Sequence, residues 1–236
     1  MYTDYTIMTA HRPLVREVNA VFDFIEKPYT PVNFKELLVS PNDMRKRLIT
    51  LINKEIKNKE QGKEAYILAK VNHITDRALI EKLYEASTAG VQVELVVRGN
   101  CSLVTGIAGI SENIHINGII DRYLEHSRIF IFANGGEEKY YIGSADWMPR
   151  NLDNRIEVLA PVYDKEIQAD LKRIVCYGYR DTAKGRIVDG TGENRPWENR
   201  PSTLCKDFTP ALAEAETATV VFRSQEELYR KYKNTL

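Results

Sequence analysis

Cysteine is scarce in this 236-residue chain, and the three present, Cys101, Cys176 and Cys205, are odd in number and far apart. That spacing argues against a disulfide-framed small domain and against a zinc site, and it predicts three reduced thiols. Net charge is missing too: 33 Lys and Arg stand against 33 Asp and Glu. No global field then attracts nucleic acid or an acidic membrane, and any anion site has to be local. No apolar run approaches the roughly 20 residues needed to span a bilayer, and MYTDYTIMTAHRP has neither a charged leader nor a signal-type apolar core. A cytoplasmic protein is expected, with a peripheral position on the inner membrane face as the variant of that expectation. His11, His73 and His115 have no cysteine or carboxylate at metal-ligand spacing and read as surface or packing residues.

What is there is a globular pattern, with 43% hydrophobic residues and enough length for a substantial core. Leu14, Val15, Val18, Val21, Phe22 and Ile25 recur at helical spacing and stop before Pro28. Tyr29 to Asn33 reads as a linker. Ser40-Pro41 reads as an N-cap and first-turn proline, opening a helix through Met44, Leu48, Leu51, Ile52 and Ile56 toward Gly62, with a solvated Lys/Glu-rich end. From Tyr66 the rhythm becomes strand, helix, strand: YILAKV, then Thr75 to Ala89 closed by Gly90, then VQVELVV. Two near-continuous apolar strands joined by a helix predict a parallel pair buried on both faces. Ile129 to Phe132 and Tyr140 to Ile142, separated by Asn134-Gly135-Gly136, predict a hairpin. A strand from Arg155 to Val162 and a helix from Asp164 to about Tyr177 complete one α/β core from about 37 to 182. Beyond Lys184 the text is loop-like until a short helix at Glu226 to Lys233.

The polar residues gather where these strands end. Arg98 follows the second parallel strand, Arg122, His126 and Arg128 surround the start of the hairpin, and Ser144, Asp146, Arg150 and Asn151 follow its second strand. In open α/β sheets ligands collect outside the carboxyl ends of the strands. Guanidiniums grip phosphate oxygens through paired hydrogen bonds, and a histidine among them can donate to a phosphoryl oxygen or carry a proton or phosphoryl group. A bland reading stands beside this one: Arg122 and Arg128 pair with Asp121 and Glu125, and His126 is a half-buried strand histidine.

Histidine, one residue, then a basic residue at a strand start, followed by Gly-Ser-x-Asp, resembles the half-site of phospholipase D-like proteins. Arg128 replaces the usual lysine, Ala133 stands where an aspartate is usual, and Asp146 replaces the usual asparagine. A fuller resemblance lies in YTDYTIMTA, FDFIEKPYTPVNFKELLVSP, LVVRGNCSL, GIIDRYLEHSRIFIF and YIGSADWMPRNLDNRIEV. In order and spacing these are similar to the C-terminal part of bacterial polyphosphate kinases of the first type, from Tyr2 to about Asp181.

The resemblance implies a phospholipase D-like mixed sheet flanked by helices, with an N-terminal helical leader and an irregular C-terminal tail. Residues 1–36 would be the end of a first catalytic domain and a linker, 37–205 a second catalytic domain, and 206–236 the tail. It implies reversible transfer of the terminal phosphate of ATP to inorganic polyphosphate through a phosphohistidine. Tyr2 would contact the nucleotide, Arg98 the phosphate, and His126 would be the second essential histidine, as proton donor or oxygen ligand. Arg122, Arg128 and Arg150 are the supporting phosphate-binding candidates. The phosphorylated histidine, the magnesium ligands and the N-terminal, helical and first catalytic domains would lie upstream, which makes these residues alone inactive and the whole enzyme a homo-oligomer. A phosphodiesterase half-site and a non-catalytic polyanion-binding module are the alternatives.

Overall fold

The computed structural model describes residues 2–198, 202, 204–208 and 221–233. In chain order the strands are β1 (Tyr2–Thr3), β2 (Leu38–Ser40), β3 (Tyr66–Val71), β4 (Gln92–Val97), β5 (Ile114–Ile119), β6 (Leu124–Glu125), β7 (Arg128–Phe132), β8 (Lys139–Gly143), β9 (Glu157–Val162) and β10 (Gly185–Ile187). The helices are α1 (Arg12–Glu26), α2 (Met44–Glu60), α3 (Arg77–Thr88), α4 (Pro149–Asp153), α5 (Lys165–Tyr179) and α6 (Ser224–Lys233). Eight strands form one mixed sheet in the order β10-β5-β4-β3-β7-β8-β9-β2, and β1 pairs with β6 in a separate two-stranded ribbon. The expected α/β architecture, with its mixed sheet, flanking helices and N-terminal helix, is present.

The apolar strands β3 and β4 are parallel neighbours, as their burial on both faces requires. On one face Leu48 and Ile52 of α2 and Leu79 and Leu83 of α3 pack against Ile67, Ala69, Val93, Leu95, Phe130 and Phe132. On the other, Leu171, Ile174 and Val175 of α5 meet Tyr66, Leu68, Val96, Ile129 and Ile131. The alternation along β3 and β7 therefore feeds two cores, one per face. The hairpin joins β7 and β8 through a tight turn at Asn134–Gly136, in register Ile129 to Ile142 and Ile131 to Tyr140.

Several expectations are corrected. Ser40 is not a helix cap but the last residue of β2: its hydroxyl donates to the carbonyls of Asn151 and Arg155, and Asp43 stands at the N-cap of α2. Helix α1 buries Leu14, Val21 and Phe24 against Phe34, Leu37 and Val39, while Val18, Phe22 and Ile25 of the expected stripe remain exposed. The Lys/Glu-rich end of α2 is not fully solvated, because Glu55 turns inward and accepts from the Asn134 backbone N–H at 2.7 Å. Cys176 and Cys205 are disulfide-bonded, tying the buried last turns of α5 to the C-terminal segment, and Cys101 alone is a free thiol. The stretch after Lys184 contributes β10 to the sheet edge and buries Trp197 against Tyr179. The expected tail falls partly outside the described residues. Among those described, no helix is long and apolar enough to cross a membrane.

Candidate functional site

Strand direction decides what meets at each edge of the sheet. Strands β3, β4 and β5 run parallel, β7 runs against β3, and β8 runs against β7. The ends of β3, β4 and β8 and the start of β7 therefore share one edge. Asn72, Arg98, Arg128 and the Gly143-Ser144-Ala145-Asp146 turn are gathered there by topology alone. Gly143 lies opposite Arg128, and a Cβ on it would sit 1.9 Å from the Val158 carbonyl oxygen, so only glycine lets β8 and β9 close at this point.

Asp146 is the anchor of the edge. It is buried, and its Oδ1 accepts the backbone N–H of Asn72 at 2.7 Å and of His73 at 3.3 Å. Its Oδ2 lies 2.9 Å from Arg128 Nη2. Arg128 in turn donates from Nη1 to the His126 carbonyl at 2.7 Å and lies 3.3 Å from both ring nitrogens of His126. On its other side His126 Nδ1 is 2.8 Å from Asp4 Oδ2. Burial pushes the Asp4 carboxyl up, but hydrogen bonds from His126 and the Tyr5 N–H, with the charges of His126 and Arg128, outweigh it and hold Asp4 below its ordinary value. The carboxylate on Nδ1 favours the tautomer with its proton there, which leaves Nε2 as the acceptor nitrogen.

Arg98 is held sideways. Its Nε–H is shared between Asn72 Oδ1 at 2.9 Å and the Glu125 carbonyl at 2.7 Å. Among the described residues its two terminal nitrogens have no hydrogen-bond partner, which leaves a fixed guanidinium fork open beside the residue that precedes His126. Burial pushes the Glu125 carboxyl up, yet the Lys70 ammonium and hydrogen bonds from Lys70, Gln225 and Thr3 hold it below its ordinary value.

Not every expected residue joins this cluster. The backbone of Tyr2 pairs with Leu124 in β6, two residues before His126. Arg122 is exposed and lies over the Tyr123 ring, beside Arg223, Gln225 and Tyr229. Arg150 is exposed in the first turn of α4. Among the described residues no hydrogen bond joins Arg122 or Arg150 to His126. Ser144 and Asn151 turn toward the β9 edge, where Ser144 Oγ accepts from the Val158 N–H and Asn151 Nδ2 donates to Glu157. The bland pairings fail as well: Asp121 pairs with Arg223, Glu125 with Lys70, and Arg128 with Asp146. Sequence reasoning missed Asp4, Lys70, Asn72 and Gln225. A lysine inside YILAKV and an asparagine directly after it were the available signals. Among the described residues, no group of three or more His, Cys, Asp or Glu could hold a metal ion.

Comparison with known proteins identifies the family. The family model described as polyphosphate kinase C-terminal domain 2 matches residues 37–206. The polyphosphate kinase of Escherichia coli (strain K12) is 46% identical over 222 residues, covering 92% of this chain and 32% of that protein. That of Vibrio vulnificus (strain YJ016) is 48% identical over 189 residues, covering 80% of this chain and 27% of that protein. The crystal structure of polyphosphate kinase from Porphyromonas gingivalis matches with a TM-score of 0.83 at 37% identity, covering 97% of this chain and 32% of that one. The chain spans about a third of the length of these relatives. On its sequence, its fold and the length matched, the chain belongs to the polyphosphate kinase C-terminal domain 2 family.

Proposed function

We propose that the chain supplies one half of the phosphoryl-transfer site of an ATP:polyphosphate phosphotransferase. The observation that carries this reading is the open fork of Arg98, fixed through Nε one residue from His126. A transferring phosphoryl group spreads negative charge over its oxygens, so positioning and charge stabilisation do most of the catalytic work. Arg98 is the clamp for those oxygens. His126, with Asp4 on Nδ1 and Arg128 beside the ring, presents Nε2, which accepts a proton in the neutral ring and donates a proton or a hydrogen bond to the phosphate when the ring is doubly protonated. The backbone of β1 runs beside β6, in keeping with a nucleotide contact for Tyr2, and the exposed Arg122 and Arg150 are further phosphate contacts in this proposal.

On this reading residues 37–205 are the second catalytic domain, residues 1–36 close an earlier one, and 206–236 form a tail. The covalent phosphohistidine and the magnesium ligands belong, on the same reading, to upstream segments. The whole enzyme works in the cytoplasm as a homo-oligomer. A phosphodiesterase half-site is less well supported. Ala133, where that pattern has an acid, is fully buried, and Asp146 is engaged by Arg128. The test is an assay of the full-length enzyme with labelled ATP, polyphosphate and a phosphodiester. Transfer to polyphosphate that Arg98→Ala abolishes is the expected result; diester hydrolysis abolished by the same change favours the rival.

A further inference from the structure

Strand β3 reads Tyr66-Ile67-Leu68-Ala69-Lys70-Val71, and Lys70 is 3% exposed in the middle of the sheet. A buried ammonium requires partners, since leaving it unpaired costs far more than burying an apolar residue of the same size. Two acceptors meet it: Lys70 Nζ is 2.8 Å from Glu125 Oε2 and 2.5 Å from Ser127 Oγ. Glu125 and Ser127 are the residues on either side of His126. The Glu125 carboxylate also accepts from Gln225 Nε2 at 2.6 Å and from Thr3 Oγ1 at 3.1 Å, and its backbone carbonyl accepts from Arg98. The His126 N–H donates to the Thr3 carbonyl at 3.1 Å. One ammonium in the rigid centre of the sheet thus fixes both neighbours of His126 and, through one of them, the seat of Arg98.

We infer that Lys70 is a positioning residue for the phosphoryl-transfer site, an inference that rests on the function proposed above. It touches no substrate; it acts by holding Glu125 and Ser127, and with them His126 and Arg98. Stability alone is a poor reason for such a pair, because a buried ion pair replaced by apolar residues of similar volume is often no less stable. Geometry is the better reason, since displacing a reacting group by about 1 Å costs on the order of 100-fold in rate.

The test uses Lys70→Met together with Glu125→Gln, which removes both charges at once and leaves none buried and unpaired. In the full-length enzyme the double variant is expected to fold, to keep the KM for ATP within about threefold, and to lose about 10- to 100-fold in kcat. In the 236-residue chain itself the same changes are expected to move or broaden the imidazole proton signal of His126 while leaving that of His11 in place. A folded double variant with turnover within twofold of the parent, or an unmoved His126 signal, overturns the inference. If the double variant does not fold, Ser127→Ala decides, since it keeps the ion pair and removes only the hydroxyl. A fall of about three- to tenfold in kcat supports the positioning role, and parental kcat overturns it. Absence of ATP-to-polyphosphate transfer in the parent enzyme would refute the proposed function instead, and the histidine signal would still report whether Lys70 positions the ring.

Discussion

Arg128 and the buried Asp146 form a largely enclosed ion pair, Nη2 to Oδ2 at 2.9 Å, across the mouth of the β7–β8 hairpin. Each departs from the phospholipase D-like pattern, arginine for lysine and aspartate for asparagine, and the two departures are one feature because each is the other's partner. The pair also carries two backbone N–H groups of the turn after β3 and the carbonyl of His126. It is a frame for the site, with its charges satisfied internally.

Asp146→Ala is therefore expected to be severely destabilising. It strands the Arg128 guanidinium and two backbone donors, and breaking a buried pair from one side typically costs about 3–5 kcal/mol. Urea denaturation of the parent and the variant measures it. A loss below about 1 kcal/mol would mean that water or a neighbouring group replaces the carboxylate without strain.

Gly143→Ala tests the same edge by sterics. The added Cβ would fall 1.9 Å from the Val158 carbonyl oxygen, so β8 and β9 have to separate. Overpacking of this kind costs typically about 1–3 kcal/mol, and backbone is less able to yield than a side chain. The expected outcome is a lowered denaturation midpoint with an unchanged slope.

Stability should also fall as pH rises from mildly acidic values to about 7. Burial pushes the carboxyls of Glu55 and Glu94 up to about 7, against the partial relief of the Asn134 N–H and the Ser202 hydroxyl. In the unfolded chain they titrate near about 4.3. Between those values the folded state binds more protons than the unfolded one, so stability declines across that window and levels off above it. Glu125 and Asp121, held below their ordinary values, act in the opposite sense, and their contribution is lost only in stronger acid. Glu55→Gln with Glu94→Gln is expected to remove much of the decline, of order 1–3 kcal/mol, when unfolding is compared at pH 5 and pH 8. A difference between parent and variant that does not change with pH would refute this.

The strands that carry the chemistry were legible in the sequence because their apolar periodicity is strong: β3, β4, the hairpin, β9 and α5 all follow from pattern. The shorter or more polar strands were not. Strand β5 is interrupted by His115, Asn117 and Gly118, β2 has three residues, and β1, β6 and β10 are defined by their partners rather than by their own composition. The site divides in the same way. Arg98, His126, Arg128 and Asp146 sit at strand ends that pattern can locate. Asp4, Lys70 and Gln225 reach it from positions 57 to 122 residues away in sequence, through side-chain contacts that no local spacing encodes. The Cys176–Cys205 bond was hidden for the same reason, since two cysteines 29 residues apart carry no sign of their packing.

Polyphosphate should bind the 236-residue chain weakly, and Arg98→Ala should weaken it further. With a net charge of zero, attraction comes from the local cluster and falls as salt rises. Removing a charged hydrogen-bond donor costs about 1.5–3 kcal/mol, or about one to two orders of magnitude in affinity. Titration at two ionic strengths checks both parts. Equal affinity of the variant and the parent would make Arg98 structural.

Turnover of the full-length enzyme carrying His126→Ala, followed in both directions with labelled ATP and polyphosphate, bears most directly on the proposed half-site. His126 sits at the mouth of β7, outside the buried Ile129 to Phe132 run, so the fold should survive the change. Loss of a general acid or base typically costs about 100- to 10,000-fold, and a fall of that size in both directions is the predicted result. His126→Gln, which keeps a hydrogen-bond donor but can neither give up nor take a proton, should stay as low if His126 moves a proton and recover if it only holds the phosphate; near-parental turnover in the alanine variant would contradict the assignment of this edge as a phosphoryl-transfer site.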